Sequence, residues 1–367
     1  MEKIFKHIIF GCCCSLLFGA CQTVEQLSID YMLPAEVTFP STLKRMGVVN
    51  NMPATPDNKA ILEDEENSPK GPNEVARKTT YFNGDAVITT EALANALVQA
   101  NYFDEVVICD SALRTHDAFP RVSTLSKDEV INLTQGLDVD FLVALENIQV
   151  RARRKISYQP EIEAYEGTLD VKVYPIVKIY LPERTRPMTT VQSVDSIFWE
   201  EYGGSMAAVN HRLIDDEEML KQASEFAGSV PAKQLLPYWT QGERYFFSGG
   251  SVNMRDAAVY VKEKNWSKAI ELWQQEYNRK KVKQKMQAAY NLALGYEMQD
   301  SIAVAAEWAL KAQNAAYEVD KVEEKKNRGS IAAWEIPNYI ETSRYVTELN
   351  KRRKGLSRLD AQMKRFQ

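Results

Sequence analysis

The feature that most constrains this 367-residue chain is a change of period at Ser248-Gly249-Gly250-Ser251. Before it, apolar residues alternate with polar ones or gather into short runs; after it, they recur every three or four residues and alanine is abundant. Side chains alternate across a strand but return to one face of a helix about every 3.6 residues, so the two halves call for different architectures. The expected fold class is α+β. A mixed α/β domain with a mostly antiparallel sheet covers 44–247, and an all-α domain covers 252–367.

In the first half, Lys44 to Asn50 reads as a short strand. Residues 51–80 hold prolines and the run Glu63-Asp64-Glu65-Glu66, and are expected to be a flexible, solvated loop rather than a cation site. Asp85 to Ala100 reads as a helix with Leu93, Leu97 and Ala100 on one face, and Glu105 to Cys109 as a strand. Ser126-Lys127-Asp128-Glu129 has the capping-box spacing that opens a helix, with Gly136 suited to its end. Phe141 to Leu145 is the unbroken apolar run of a strand covered on both faces. From Leu169 to Leu181 apolar residues share one parity, with Pro175 implying an edge strand or a bulge. Thr189 to Trp199 is the expected hairpin partner, and Asp215-Asp216-Glu217-Glu218 an acidic helix start.

At the N-terminus, Lys3 and Lys6 precede Ile8 to Ala20, 13 residues without a charge. A membrane-spanning helix needs about 20 apolar residues, so the run is a signal-peptide core. Leu16-Leu17-Phe18-Gly19-Ala20-Cys21 resembles the lipobox of bacterial lipoproteins, with Phe18 where leucine is usual. The resemblance implies removal of residues 1–20 and acylation (diacylglycerol, palmitate-type chains) of Cys21. Residues 21–43 would then be a tether from the membrane, and the expected location is the outer membrane facing the periplasm, with the cell surface as the other option. Two or more acyl chains hold a protein on a bilayer stably. Cys12, Cys13 and Cys14 fall in the signal and Cys21 at the anchor, which leaves Cys109 without a partner for an internal disulfide. Following Val106-Val107-Ile108, its thiol is expected to be buried at a strand end.

Net charge is −5, and removing Glu2, Lys3 and Lys6 with the signal takes away +1, leaving −6. That balance offers no footprint for nucleic acid. His116 and His211 have no carboxylate, cysteine or second histidine at metal-ligand spacing. Asp138 and Asp140 read as strand-entry residues rather than an acid–base pair. Gly203-Gly204-Ser205 lacks the phosphate-loop pattern, and no Gly-x-Ser-x-Gly elbow occurs. The expectation is no catalytic residue, no metal, no cofactor and no enzyme.

In the second half, Ala257 and Ala293, and Ala269 and Ala305, each lie 36 residues apart. Asn265-Trp266-Ser267-Lys268-Ala269 and Tyr290-Asn291-Leu292-Ala293-Leu294-Gly295-Tyr296 resemble parts of tetratricopeptide repeats. The period departs from the usual value of about 34, and Glu276 stands where a small residue belongs. The resemblance covers two repeats and implies a docking surface, with Tyr260, Trp266, Trp273 and Tyr296 as its candidate binding residues. Tyr238, Trp239, Tyr245, Phe246 and Phe247 would line a sugar- or peptide-binding groove or pack a domain junction. Residues 338–366 read as a basic, solvated capping helix.

The elements Met46-Gly47-Val48-Val49, Leu93 to Val107 and Gly136 to Val143 are similar to the α/β domain of curli-secretion-type lipoproteins and of the lipoproteins that activate peptidoglycan synthases. The whole chain resembles an envelope lipoprotein family of Gram-negative bacteria with no assigned activity. The resemblance implies a lipid-anchored scaffold or adaptor that binds another envelope protein. A carbohydrate- or peptide-binding lipoprotein is the alternative.

Overall fold

A computed structural model describes residues 24–53, 60–66, 76–109, 111–115, 124–279, 281–329 and 331–366, with backbone alone for 60–66. Residues 1–23, which include the expected signal segment and Cys21, and His116 lie outside the described residues. The chain forms two compact units. One is Pro34–Tyr238 with Asp360–Gln367; the other is residues 1–33 with Trp239–Leu359. Strand β1 (Val24–Leu33) opens the described chain and belongs to the second unit.

In the first unit, β2 (Arg45–Asn50) is the centre of the parallel part of an eight-stranded sheet. Strands β3 (Ala60–Glu66) and β4 (Ala76–Asn83) form a hairpin, followed by helix α1 (Ala86–Gln99) and strand β5 (Glu105–Ile108). Helix α2 (Lys127–Leu137) leads into β6 (Phe141–Gln159). β2 pairs in parallel with β5 on one side and β6 on the other. Leu93 and Leu97 of α1 pack on Met46, Val48, Phe141 and Val143. Val130, with α2's Leu133 and Leu137 at its margin, packs on Val49, Leu142 and Ala144. Burial on both faces is why 141–145 is uniformly apolar. The capping box at Ser126 and Glu129 forms, but the left-handed residue that ends α2 is Asp138, φ 53°, and Gly136 lies inside the helix.

Past Leu145 the register shifts by one residue against β7 (Ala164–Tyr180), and Glu146 is left without a ladder partner. Beyond this bulge β6 and β7, strands of 19 and 17 residues in all, run on as a long antiparallel pair. β4 flanks β6; β8 (Thr189–Gln192) and β9 (Asp195–Gly203) flank β7. Strand β7 is therefore interior, not an edge. Pro175 is accommodated because the β8 ladder begins at Ile176 and the β9 ladder ends at Val173. Helices α3 (Met206–Arg212) and α4 (Asp216–Ser229) cover one face of this half, with Val209, Met219 and Ala223 against Val150, Ala152, Leu169 and Val171. A Cβ on Gly167 would lie 2.2 Å from Val209 Cγ1, so glycine lets α3 sit directly on β7. Short α5 (Ala232–Leu235) adds Leu235 to the core beside α1.

In the second unit, β1 pairs with β10 (Tyr238–Phe247) as a two-stranded ribbon. Helices α6 (Val252–Lys262), α7 (Trp266–Tyr277), α8 (Val282–Met298) and α9 (Ile302–Val319) follow, then short α10 (Val322–Lys326) and long α11 (Pro337–Met363). Ala257, Ala269, Ala293 and Ala305 are all fully buried, so the 36-residue spacing marks helix contacts. Asn291 of α8 fastens the ribbon: its Nδ2 donates to Phe247 O and its Oδ1 accepts from Phe247 N, both at 2.8 Å.

Four expectations need correction. Residues 21–43 are not merely a tether, since β1 occupies 24–33. The range 51–80 is not all loop, since β3 and most of β4 fall within it. The division between units falls at 238/239, at the start of β10 rather than after it, because β10 pairs with β1. The basic tail is not uniformly solvated. Arg352 is buried, and Gln362 binds the backbone of Ala35 and Val37 through Nε2 at 3.1 and 2.8 Å. Arg365 stacks on Tyr102 and Phe103. No helix among the described residues is long and apolar enough to cross a membrane.

Candidate functional site

The α/β unit carries a trough of about 840 Å³, within the range of ligand sites. Its floor is the β4–β6–β7 surface at Lys78, Thr80, Ala152, Arg154 and Leu169, and its wall is the turn from α3 into α4. Local sequence explains that turn. Ser205 caps α3 by accepting from Ala208 N, and Asp215 caps α4 by accepting from Glu218 N at 2.9 Å. Between the caps, Leu213 enters the core and anchors the connection.

Arg154 ties wall to floor. Its Nη1 donates to Asn210 Oδ1 at 3.1 Å and its Nη2 to Ile214 O at 3.2 Å, with Asp216 Oδ1 at 3.4 Å. Arg212 and His211 are exposed at the rim. A second hollow of about 550 Å³ shares Asp215, Asp216 and Glu218 with the first and reaches Phe82, Asp85, Ile88 and Lys221. The two hollows adjoin at the start of α4, and charges of both signs and apolar residues line them.

A second polar cluster lies at the carboxyl end of β2, where its parallel ladder with β6 stops and β6 bulges. The two crossovers lead to opposite sides of β2, and the crevice of an open parallel sheet lies at such a point. The bulged Glu146 is buried there. It accepts from Tyr180 Oη at 2.7 Å, Asn51 Nδ2 at 3.1 Å and Lys178 Nζ at 3.3 Å. Burial, then the bond to this carboxylate, pushes the Tyr180 hydroxyl pKa well above the usual tyrosine value. Arg114 Nε donates to Asn51 Oδ1 at 2.7 Å and its Nη1 to Glu129 Oε1 at 2.9 Å. Burial raises Glu129, but bonds from Ser126 and the Arg114 charge outweigh it and hold the carboxyl low. Most polar groups here serve one another, so the cluster is a lock on the strand ends more than an open site.

The residues singled out on the helical side do not converge. Trp273 is fully buried in the core of α6–α8, and its Nε1 has no hydrogen-bond partner. Tyr260, Trp266 and Tyr296 are partly buried against that core. Tyr260 lies under Lys268 Nζ at 5.1 Å, and Tyr296 Oη accepts from Gln274 at 3.0 Å. In β10, Tyr245 stacks on Tyr290 at 4.5 Å and meets Phe247 edge-on. Tyr245 and Tyr290, with Tyr345, also line a small hollow of about 230 Å³ whose other walls are Glu243, Arg244, Arg344 and Glu348. His211 has no metal-ligand neighbours: among the described residues no group of three or more His, Cys, Asp or Glu side chains is placed to hold a metal. Cys109 is half-buried beside the α2 cluster. The trough escaped sequence reading because its residues come from four separate segments; only the acidic start at Asp215 was visible.

Two family models match the chain. One, described as a domain of unknown function (DUF8603), covers residues 43–247; the other, a domain of unknown function (DUF6340), covers 255–351. No curated protein and no solved structure matches.

Proposed function

The chain belongs to the family described as domain of unknown function (DUF8603), and we propose that it works without catalysis, as a lipid-anchored envelope adaptor that holds a polypeptide segment of another envelope protein. The trough along the start of α4 carries this reading. It adjoins a second hollow, and cations (Arg154, Arg212), anions (Asp215, Asp216, Glu218) and apolar surface line it together. An extended peptide presents the same mixture of amides, charges and side chains, whereas a single small ligand would need fewer and more convergent groups. The anchor at Cys21 and the outer-membrane, periplasm-facing location belong to the same proposal and rest on the lipobox-like run.

A photo-crosslinking residue at Lys221, on the rim, tests the reading in cells producing the full chain. The expected result is a discrete crosslinked protein that is lost when Asn210→Trp narrows the trough. Crosslinking unaffected by Asn210→Trp, or none at Lys221 with products from exposed Val259 instead, would move the binding surface elsewhere. Cys21→Ser should abolish acyl labelling and release the protein from membranes; unchanged membrane fractionation removes the anchor from the proposal.

A further inference from the structure

Strand β9 pairs only with β7 among the described residues, and we infer that its outer edge accepts a cationic extended segment of a partner protein as an added strand. This goes beyond the trough reading, because it uses the backbone of a sheet edge.

The parity of the ladder fixes which groups of β9 point outward. In an antiparallel pair the N–H and C=O of one residue point to the same side, and the side alternates along the strand. Pro175 O accepts from Ser193 N at 3.1 Å, so the odd-numbered residues of β7 turn towards β8 and β9. Their register partners in β9 are Asp195, Ile197, Trp199, Glu201 and Gly203. Ser196, Phe198, Glu200 and Tyr202 therefore turn their backbone groups away from the sheet. Two local bonds agree with this and close the ends of the edge. Asp195 Oδ1 accepts from Ser196 N at 2.8 Å, and Arg212 Nη1 donates to Tyr202 O at 2.5 Å. Between them, the N–H and C=O groups of Phe198 and Glu200 have no hydrogen-bond partner among the described residues.

Edges of this kind are normally shielded by shortness, by Lys or Pro, or by a bulge. Strands β5 and β8, also at edges, have four residues each. Strand β9 has nine, with no Lys, Arg or Pro and an unshifted ladder to β7. Phe198 is 65% exposed beside the open backbone groups, and Tyr202 is exposed too. A row of open donors and acceptors beside an exposed ring fits an extended chain that adds to the sheet.

Charge selects the occupant. Strand β9 carries Asp195, Glu200 and Glu201, and Glu166 of β7 lies opposite Tyr202. Glu200 and Glu166 share one neutral donor, Tyr202 Oη, at 2.7 and 3.4 Å, and Glu166 has a second neutral donor in Gln159. None of these four carboxylates forms an ion pair among the described residues. Two cations stand nearby, Lys172 opposite Ser196, and Arg212, whose Nη1 is taken by Tyr202 O. Neither pairs with these carboxylates. A second copy of β9 would bring the same three acidic residues and no cation, so self-pairing gains nothing from charge. A foreign strand with a cation opposite Glu200 and an apolar residue opposite Phe198 matches both the charge and the backbone.

The test uses the full chain and a fluorescently labelled peptide, Lys-Val-Lys-Val-Lys blocked at both ends, with Glu-Val-Glu-Val-Glu as its control. The lysine peptide should bind, more weakly as salt rises, and the glutamate peptide should not. Hydrogen exchange at the amides of Phe198 and Glu200 should slow when the lysine peptide is bound. Glu200→Lys, at an exposed position, should weaken binding about tenfold or more. Phe198→Pro removes an outward N–H while sparing the ladder to β7, and should weaken binding as much. If Phe198→Pro lowers the unfolding temperature, Glu200→Lys and the exchange measurement decide. No binding of the lysine peptide, binding that survives Glu200→Lys, or binding without slowed exchange at the two amides would overturn the inference. So would a dimer of the full chain, seen by sedimentation, that slows exchange at the same two amides without any peptide.

Discussion

Glu297 in the helical unit and Glu146 in the α/β unit are both almost fully buried carboxylates, at 2% and 1% exposure, yet they are neutralised by different means. Glu297 takes two guanidinium groups. Arg244 binds it through Nε and Nη2 at 2.9 and 3.0 Å, Arg352 Nη1 binds the same carboxylate, and Tyr345 Oη donates at 2.6 Å. Tyr31 of β1 faces both guanidiniums, at 6.0 and 4.2 Å. Glu146 has one lysine at 3.3 Å and two neutral donors, and it sits where a bulge turned it out of the ladder. The difference follows from the task. Glu297 gathers elements far apart in sequence, β1, β10, α8 and α11, so it needs strong ionic partners. Glu146 only closes strand ends already held by parallel ladders. A buried charge losing its counter-charge costs far more than a neutral hydrogen bond losing one partner.

The largest expected effect is therefore at Glu297. Replacing it with leucine leaves two buried guanidiniums facing each other, with Glu348 still 2.8 Å from Arg244. The expected loss is about 3–5 kcal/mol, read as a lower urea midpoint in the full chain. Glu146→Leu should cost less, about 2–3 kcal/mol. It leaves the Tyr180 hydroxyl without its acceptor, while Lys178 has a path to solvent. If the two losses are equal, the contrast between ionic and neutral closure fails.

A third effect is smaller and depends on pH. Tyr345 and Tyr180 both have pKa values pushed upward, first by burial and then by the neighbouring carboxylate. In the unfolded chain tyrosine ionises near pH 10, about the ordinary value. The unfolded state therefore loses these protons before the folded state does. Their stabilisation is complete below about pH 10 and is lost as pH rises above it, by at most about 1.4 kcal/mol per pH unit for each group. Thermal unfolding between about pH 10 and 11 should show that slope. Tyr345→Phe should reduce it by one group's share, with Tyr180 still contributing; an unchanged slope would mean that Tyr345 is not among the groups that carry it.

How far these sites could be read in advance differed in the same way. The local features were on the sequence: the capping box at Ser126, the parity of Leu169 to Leu181, the apolar run at Phe141, and the 36-residue spacing of the buried alanines. Partners remote in sequence were not. Leu27, Ile29, Tyr31 and Leu33 alternate with Gln26, Ser28 and Asp30 as plainly as any strand. Yet β1 pairs with β10 more than 200 residues on, so nothing nearby signals pairing. Arg352 looked like part of a charge run, because its partner Glu297 lies 55 residues away. Glu146 gave no sign of a bulge, since a one-residue register shift depends on how two strands meet. The trough at Arg154 was hidden for the same reason, its walls being brought together only by the fold.

The smallest expected effect is at Trp273, where a buried polar atom has no partner at all. Its Nε1 has no acceptor, while the ring is fully enclosed among Ile270, Ala257 and Leu292. A buried donor left unpaired costs about 1–3 kcal/mol. Trp273→Phe removes that cost but leaves a cavity where the second ring stood, and a cavity costs stability in proportion to its volume. The two changes oppose each other, so the net change should lie within about 1 kcal/mol, against the several expected at Glu297. A loss above about 3 kcal/mol in the same urea experiment would mean that the indole N–H has an acceptor after all. Trp273 would then belong with Glu297 and Glu146 among the paired buried groups, and the contrast would lose its unpaired end.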